Sequence, residues 1–239
     1  MNKLRLFLLY FFIILNTTAQ NLNSQILESL KITGDNIENK MHEVSPKEFN
    51  ELAYRFINKL DSIIKRNKQL KKKKNLKKKI EFDLQEIREL KAKAMLNLMN
   101  YGFDISNNLD SINYYRNKVL LNTEDKVHRS KSHGYSGYTH YTLHNYTESI
   151  EHYNKALQIL EFPENKELRP YQIKVLVNLN SSLFDLNIIE NAEKNYNRLE
   201  ETIQDMSSHE RHKNYIELLK IEKSNLFMAK KDFNNSLKI

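Results

Sequence analysis

Between Tyr135 and Leu160 the chain reads YSGYTHYTLHNYTESIEHYNKALQIL, and this stretch constrains the fold more than any other. It predicts two helices joined by a tight turn at Leu143–Tyr146. In the second helix Ile150, Tyr153, Ala156, Leu157 and Leu160 recur at spacings of three and four, the period of one helical face. A second stretch, Leu176–Leu199, repeats the same order of large and small residues as LVNLNSSLFDLNIIENAEKNYNRL. One helix pair of this kind cannot bury its apolar face alone. Repeated pairs stack on one another, and such stacks present grooves rather than reaction centres.

Composition agrees with an all-helical chain. There are 4 Gly and 3 Pro in 239 residues, too few breakers to interrupt helix often. No segment alternates apolar and polar residues between turn signals, so no sheet is expected. Cysteine is absent, which removes disulfides, thiol catalysis and thiolate metal sites.

The ends and the charge carry separate information. Lys3 and Arg5 precede an uninterrupted apolar run from Leu6 to Leu15, and small residues follow at Thr17 and Ala19. Residues 1–19 therefore read as a signal peptide cleaved after Ala19, the run being shorter than the roughly 20 residues of a membrane span. The mature protein is then expected to be exported, to the periplasm or cell envelope. The net charge of +8 has its focus in residues 65–79, KRNKQLKKKKNLKKK, which contain no acid. That run predicts a solvated helical face or linker, with weak contact to an anionic membrane surface as the sharper reading. No aromatic residue interleaves with it, so nucleic acid is not expected as a partner through this region.

Along the mature chain, residues 20–45 form a polar leader with a short helix (Ile26, Leu27, Leu30, Ile32) ending near Gly34. Ser45-Pro46-Lys47-Glu48 is a helix start: an N-cap Ser, Pro at the first helical position and Glu three after the cap. Phe49, Leu52, Phe56, Leu60, Ile63 and Ile64 share the face that follows. Residues 46–91 thus hold N-terminal helices with the lysine-rich segment 65–79 inside them, and residues 92–239 hold repeated pairs. Ala94–Val119 reads as an imperfect pair turning near Ser106–Leu109, and residues 122–134 as a polar connector. The clear pair comes next. Pro163 and Pro170 bracket another connector, and a pair spans Gln172 to about Met206. An incomplete last pair turns at Lys231–Asp232 into Phe233, Ser236 and Leu237.

On these residues the chain resembles the tetratricopeptide repeat family. One copy carries Gly137, Leu143, Asn145, Tyr146, Ser149, Tyr153, Ala156 and Leu157. The next carries Leu176, Leu179, Leu183, Leu186, Ala192, Tyr196 and Leu199. A small residue recurs early in each second helix at Ser111, Ser149, Ala192 and Ser236, where it lets paired helices approach closely. The intervals are 38, 43 and 44 residues, against about 34 in the standard repeat, and Lys118 stands where Ala is usual. The resemblance implies an all-α, right-handed superhelix of antiparallel helix pairs behind extra N-terminal helices. It also implies a groove, lined by the first helix of each pair, that takes a protein or peptide ligand. The groove residues so implied are Lys93, Asn97, Tyr138, Tyr141, Lys174, Asn178, Ser181 and Asp185. Lys93 with Asn97, and Lys174 with Asn178, have the i, i+4 spacing of a carboxylate clamp.

Reactive constellations are not evident. His140 and His144 are i, i+4 but straddle the turn, as do His144, Glu148 and His152, and His209–His212 lacks the spacing of a metalloprotease helix. No glycine-rich phosphate loop and no nucleophile with an oriented base occur. The expectation is a non-enzymatic binding scaffold with no catalytic residue, cofactor or metal. The alternative is the extracytoplasmic sensor region of a membrane-bound signalling protein, a transcriptional regulator or histidine kinase, of which this chain would be a truncated part.

Overall fold

The computed structural model describes residues 24–70, 77–101, 107–160 and 168–231, with side chains described outside 68–70 and 77–83. The expected signal peptide, residues 71–76 of the lysine run, Gly102, Pro163 and the final Phe233, Ser236 and Leu237 lie outside the described residues. Among those described, helix is the only regular secondary structure. The chain divides into two compact units, Met1–Tyr101 and Gly102–Ile239.

The first unit contains α1 (24–39), a short 3-10 turn at Lys40–His42, α2 (Pro46–Leu70) and α3 (Lys77–Tyr101). The start of α2 is the one its sequence predicts: Glu48 N–H donates to Ser45 Oγ at 3.3 Å. The buried face of α2 is Phe49, Ala53, Phe56, Leu60 and Ile64, and α3 contributes Leu84, Ile87, Met95 and Leu98. Helix α1 passes straight through Gly34 rather than ending there. Any Cβ at Gly34 would stand 3.3 Å from the Phe56 ring, so glycine lets α1 lie close to α2. Ion pairs tie α3 to both neighbours: Lys91 to Asp61 at 2.5 Å, Lys31 to Glu86 at 2.9 Å, and Lys93 to Glu38 at 2.7 Å.

The second unit runs α4 (Leu109–Asn122), α5 (Lys126–Thr142), α6 (Tyr146–Leu160), α7 (Arg169–Asp185), α8 (Ile189–Gln204) and α9 (His212–Ala229), each packed on the next in sequence. In the α5–α6 pair, Ser149 Oγ donates to the Gly137 carbonyl at 2.8 Å and Ser130 Oγ to the Ala156 carbonyl at 3.0 Å. Seven residues back along α5 match seven forward along α6, so the two helices run antiparallel.

Helix α5 begins well before the sequence reading places it. The connector expected over 122–134 is helical from Lys126, with Asp125 as N-cap accepting from His128 N–H at 2.8 Å. The reason is the character of its buried face: Ser130, Ser132, Gly134, Ser136 and Gly137. These residues carry no apolar signal, yet they let neighbours come within contact of the backbone. A Cβ on Gly137 would lie 2.8 Å from the Tyr153 ring, and one on Gly134 would collide with the Tyr171 hydroxyl.

The turns recur as well as the helices. His144, Asn187 and Lys231 all have left-handed φ, at 61°, 56° and 59°, and stand 43 and 44 residues apart. The same bonds close the first two: Asn145 N–H to the His140 carbonyl and Ile188 N–H to the Leu183 carbonyl, each 2.8 Å. This six-to-one closure satisfies carbonyls that a helix end would otherwise leave bare.

Candidate functional site

Helices α5 and α7 bring the predicted groove residues of the second unit together. Lys174, Asn178, Ser181 and Asp185, three and four apart, share one face of α7, as helical periodicity requires. Tyr141 on α5 meets both Asp185 and Ser181. Burial, then the Asp185 carboxylate, raise its pKa. Tyr138 is 50% exposed, Lys174 and Asp185 are exposed, and Asn178 and Ser181 are half-buried. Beneath them the fully buried Tyr153 hydroxyl lies beside Asn178 and Ser149. It makes no hydrogen bond of normal geometry among the described residues. The face is thus aromatic, amide-bearing and hydroxyl-bearing, with a cation and a carboxylate three turns of α7 apart. Such groups hold an extended backbone by hydrogen bonding and stacking.

Lys93 and Asn97 are placed elsewhere. Both are on α3 in the first unit and face α1, where the Lys93 ammonium is held by Asp35 at 3.0 Å and Glu38 at 2.7 Å. Helix α3 packs on α2, and the unit boundary at Tyr101 falls within the Ala94–Val119 stretch that the sequence reading treats as one pair. The two Lys–Asn pairs therefore belong to different units, and the chain's own carboxylates occupy the first lysine.

A second cluster lies in the seam of α4, α5 and α6. Arg116 Nη1 is 2.8 Å from His152 Nε2, and His152 Nδ1 is 3.2 Å from His133 Nδ1. The His140 ring lies 5.2 Å from that of His152, and its buried Nδ1 has no hydrogen-bond partner among the described residues. Burial, reinforced by Arg116, pushes His133 down to about 4 and His152 to about 3. Burial lowers His140 as well, and Glu148 opposes the shift. Among the described residues no three His, Cys, Asp or Glu side chains are arranged to hold a metal ion. The His140–His144 and His144–Glu148–His152 groupings are not what the fold assembles. His144 lies in the turn, 2.8 Å from the Tyr146 hydroxyl, while His140 turns inward to His152.

A third group joins amides of α7 and α8 to a carboxylate of α9. Asn195 Nδ2 donates to the Leu176 carbonyl at 2.8 Å and to Asn180 Oδ1 at 2.7 Å, and Asn180 Nδ2 donates to Glu222 at 3.0 Å. Burial raises the Glu222 pKa, and the two amides opposing it, Asn180 and Asn225, bring no positive charge. The repeat offset was the available signal. Asn180 stands 43 residues after Gly137, and Asn195 the same distance after His152.

No model of a known family matches the chain, and neither a curated protein nor a solved structure matches it. Among the described residues no helix is long and apolar enough to cross a membrane.

Proposed function

We propose that the second unit is a tetratricopeptide-like scaffold whose α5–α7 face binds an extended protein or peptide segment without catalysing a reaction. On this reading the helix pairs wind as a right-handed superhelix, and the first helix of each pair lines the groove. The observation that carries the reading is the surface of exposed Tyr138, Lys174 and Asp185 with half-buried Tyr141, Asn178 and Ser181, set on pairs whose turn geometry recurs at 43 and 44 residues. Rigid repeated supports with a polar, tyrosine-bearing face suit recognition, since Tyr contributes large contact area at low entropic cost. Export to the cell envelope belongs to the same proposal and rests on Lys3, Arg5 and the Leu6–Leu15 run.

The test is selection of peptides from a random display library on the full chain, followed by affinity measurement against Tyr138→Ala and Asn178→Ala. Truncating an anchoring Tyr at the centre of an interface costs about 2 kcal/mol or more, so a loss of about 30-fold is expected for Tyr138→Ala. Selected peptides that bind both variants as tightly as the parent would reject this groove. Failure to enrich any peptide would reject peptide binding.

A further inference from the structure

The hydrogen bonds of the α4–α6 seam fit only uncharged imidazoles. Arg116 can donate but never accept, so His152 Nε2 is the acceptor at 2.8 Å. The proton of His152 is then on Nδ1 and is donated to His133 Nδ1 at 3.2 Å, leaving the His133 proton on Nε2. A proton added to His152 must land on Nε2, against the guanidinium. One added to His133 must land on Nδ1, against the His152 N–H. Either event breaks a bond and sets like charge against like in a buried seam.

We propose that this seam is an acid-triggered latch: protonation of His133 and His152 opens the α5–α6 pair while the α7–α8 pair stays folded. The groups facing the pair weigh the same way. Arg116 from α4, Arg129 from α5 and Lys155 from α6 disfavour a charged imidazole, and Glu151 and Glu148 on α6 oppose them only in part. Glu151 is itself engaged by Lys155. The positions in the next copy show that the fold does not demand histidine. The residues 43 positions after His133, His140 and His152 are Leu176, Leu183 and Asn195, all buried. Three titratable side chains in one pair thus stand where the other pair holds none.

The sign follows from linkage. Both histidines have native pKa values, about 4 and about 3, below the unfolded value near 6.5. Their contribution to stability is complete above pH 6.5. It shrinks as pH falls, because the unfolded segment takes up protons that the native seam refuses, and it is lost once the native values are passed. One such imidazole alone raises the opening equilibrium about 20-fold between pH 7 and pH 5. Helix α5 carries Tyr138 and Tyr141 as well as His133 and His140, so opening would dismantle half the proposed groove. That consequence rests on the groove reading, whereas the latch does not.

The experiment is hydrogen exchange on the full chain, without ligand, from pH 7 to pH 5 and corrected for intrinsic rate. Opening of residues 126–160 is expected to rise about 20-fold or more, with little change over 169–204. The variant His133→Leu, His140→Leu, His152→Asn, which borrows the residues of the next copy, should lose that pH dependence. Should it fail to fold, Arg116→Gln gives an independent reading: the imidazole resonances of His152 should titrate at higher pH than in the parent. Equal opening of both pairs overturns the latch. So does pH dependence that survives the triple variant, or His133 and His152 titrating near 6.5 in the parent while 126–160 remains closed.

Discussion

The α5–α6 and α7–α8 pairs have the same turn and the same offset, yet they are filled with different chemistry. In α7–α8 the inward positions are Leu176, Leu179, Leu183, Ala192, Tyr196 and Leu199, all buried. In α5–α6 the counterparts of Leu176, Leu179 and Leu183 are His133, Ser136 and His140, and Gly137 stands where Asn180 does. The first helix of α7–α8 packs mainly by dispersion and apolar burial, which need only approximate shape, with one buried amide pair, Asn180 and Asn195. The first helix of α5–α6 instead meets the buried Tyr153, Ala156 and Leu157 of its partner helix through side chain to backbone hydrogen bonds and close approach, which need each group in place. A common backbone therefore does not imply a common response to mutation or pH.

The sharpest way to break the comparison is to move one residue across it. Leu176→His places an imidazole in an apolar site with no Arg116 counterpart shown. A loss of about 3 kcal/mol in chemical unfolding is expected, deepening below pH 6.5. The reciprocal His133→Leu should cost about 1–3 kcal/mol at pH 7, because it strips the buried His152 N–H of its acceptor, and should lose less stability than the parent between pH 7 and pH 5. If both changes are equally tolerated, the two cores are interchangeable and the comparison fails.

Next in size is Gly137→Ala. Overpacking against the Tyr153 ring costs about 1–3 kcal/mol, offset by about 1 kcal/mol of helix propensity. A net loss of about 1 kcal/mol is expected in thermal or denaturant melts. A net gain would show that Tyr153 yields and that the close approach is not required.

The pH response of the other side has the opposite sign. Glu222 has a native pKa raised above 4.5 by burial. Below pH 4.5 it is protonated in both states and costs nothing. As pH rises further the unfolded chain ionises first, so stability falls until the native value is passed. Glu222→Gln should remove that fall, measured as the difference in unfolding free energy between pH 4 and pH 8. A fall that persists in the variant assigns it to another group.

How much of this was legible in the residues divides along the same line. Helix α8 and the apolar faces of α2 and α7 follow from Leu, Ile and Phe at helical spacing, and Ser45-Pro46 marked the start of α2 correctly. The first half of α5 did not read as helix, because Ser130, Ser132 and Gly134 are small polar residues whose burial is decided by partners far along the chain. The histidine seam was missed for the same reason. His140 and His144 are neighbours on a helical wheel, but the turn at His144 ends the helix, and the real partners, Arg116 and His152, come from α4 and α6. Lys93 and Lys174 looked equivalent by spacing, and nothing local revealed that Asp35 and Glu38 already hold the first.

The smallest expected effect concerns the turns. A left-handed φ costs a non-glycine residue about 1 kcal/mol, least for Asn. His144→Gly should therefore stabilise the α5–α6 pair by up to about 1 kcal/mol, and Asn187→Gly the α7–α8 pair by less. A destabilised His144→Gly would mean that the contact with Tyr146 outweighs the backbone term.

The seating of Tyr153 against Gly137 also governs motion. An aromatic ring in contact with backbone on one face and fully excluded from solvent cannot rotate about its axis unless the helices part. Its two edges should therefore give separate proton resonances, whereas exposed Tyr138 averages them. The rate at which the Tyr153 signals merge on warming is then a clock for how often α5 and α6 breathe apart, read from a single side chain in the native protein.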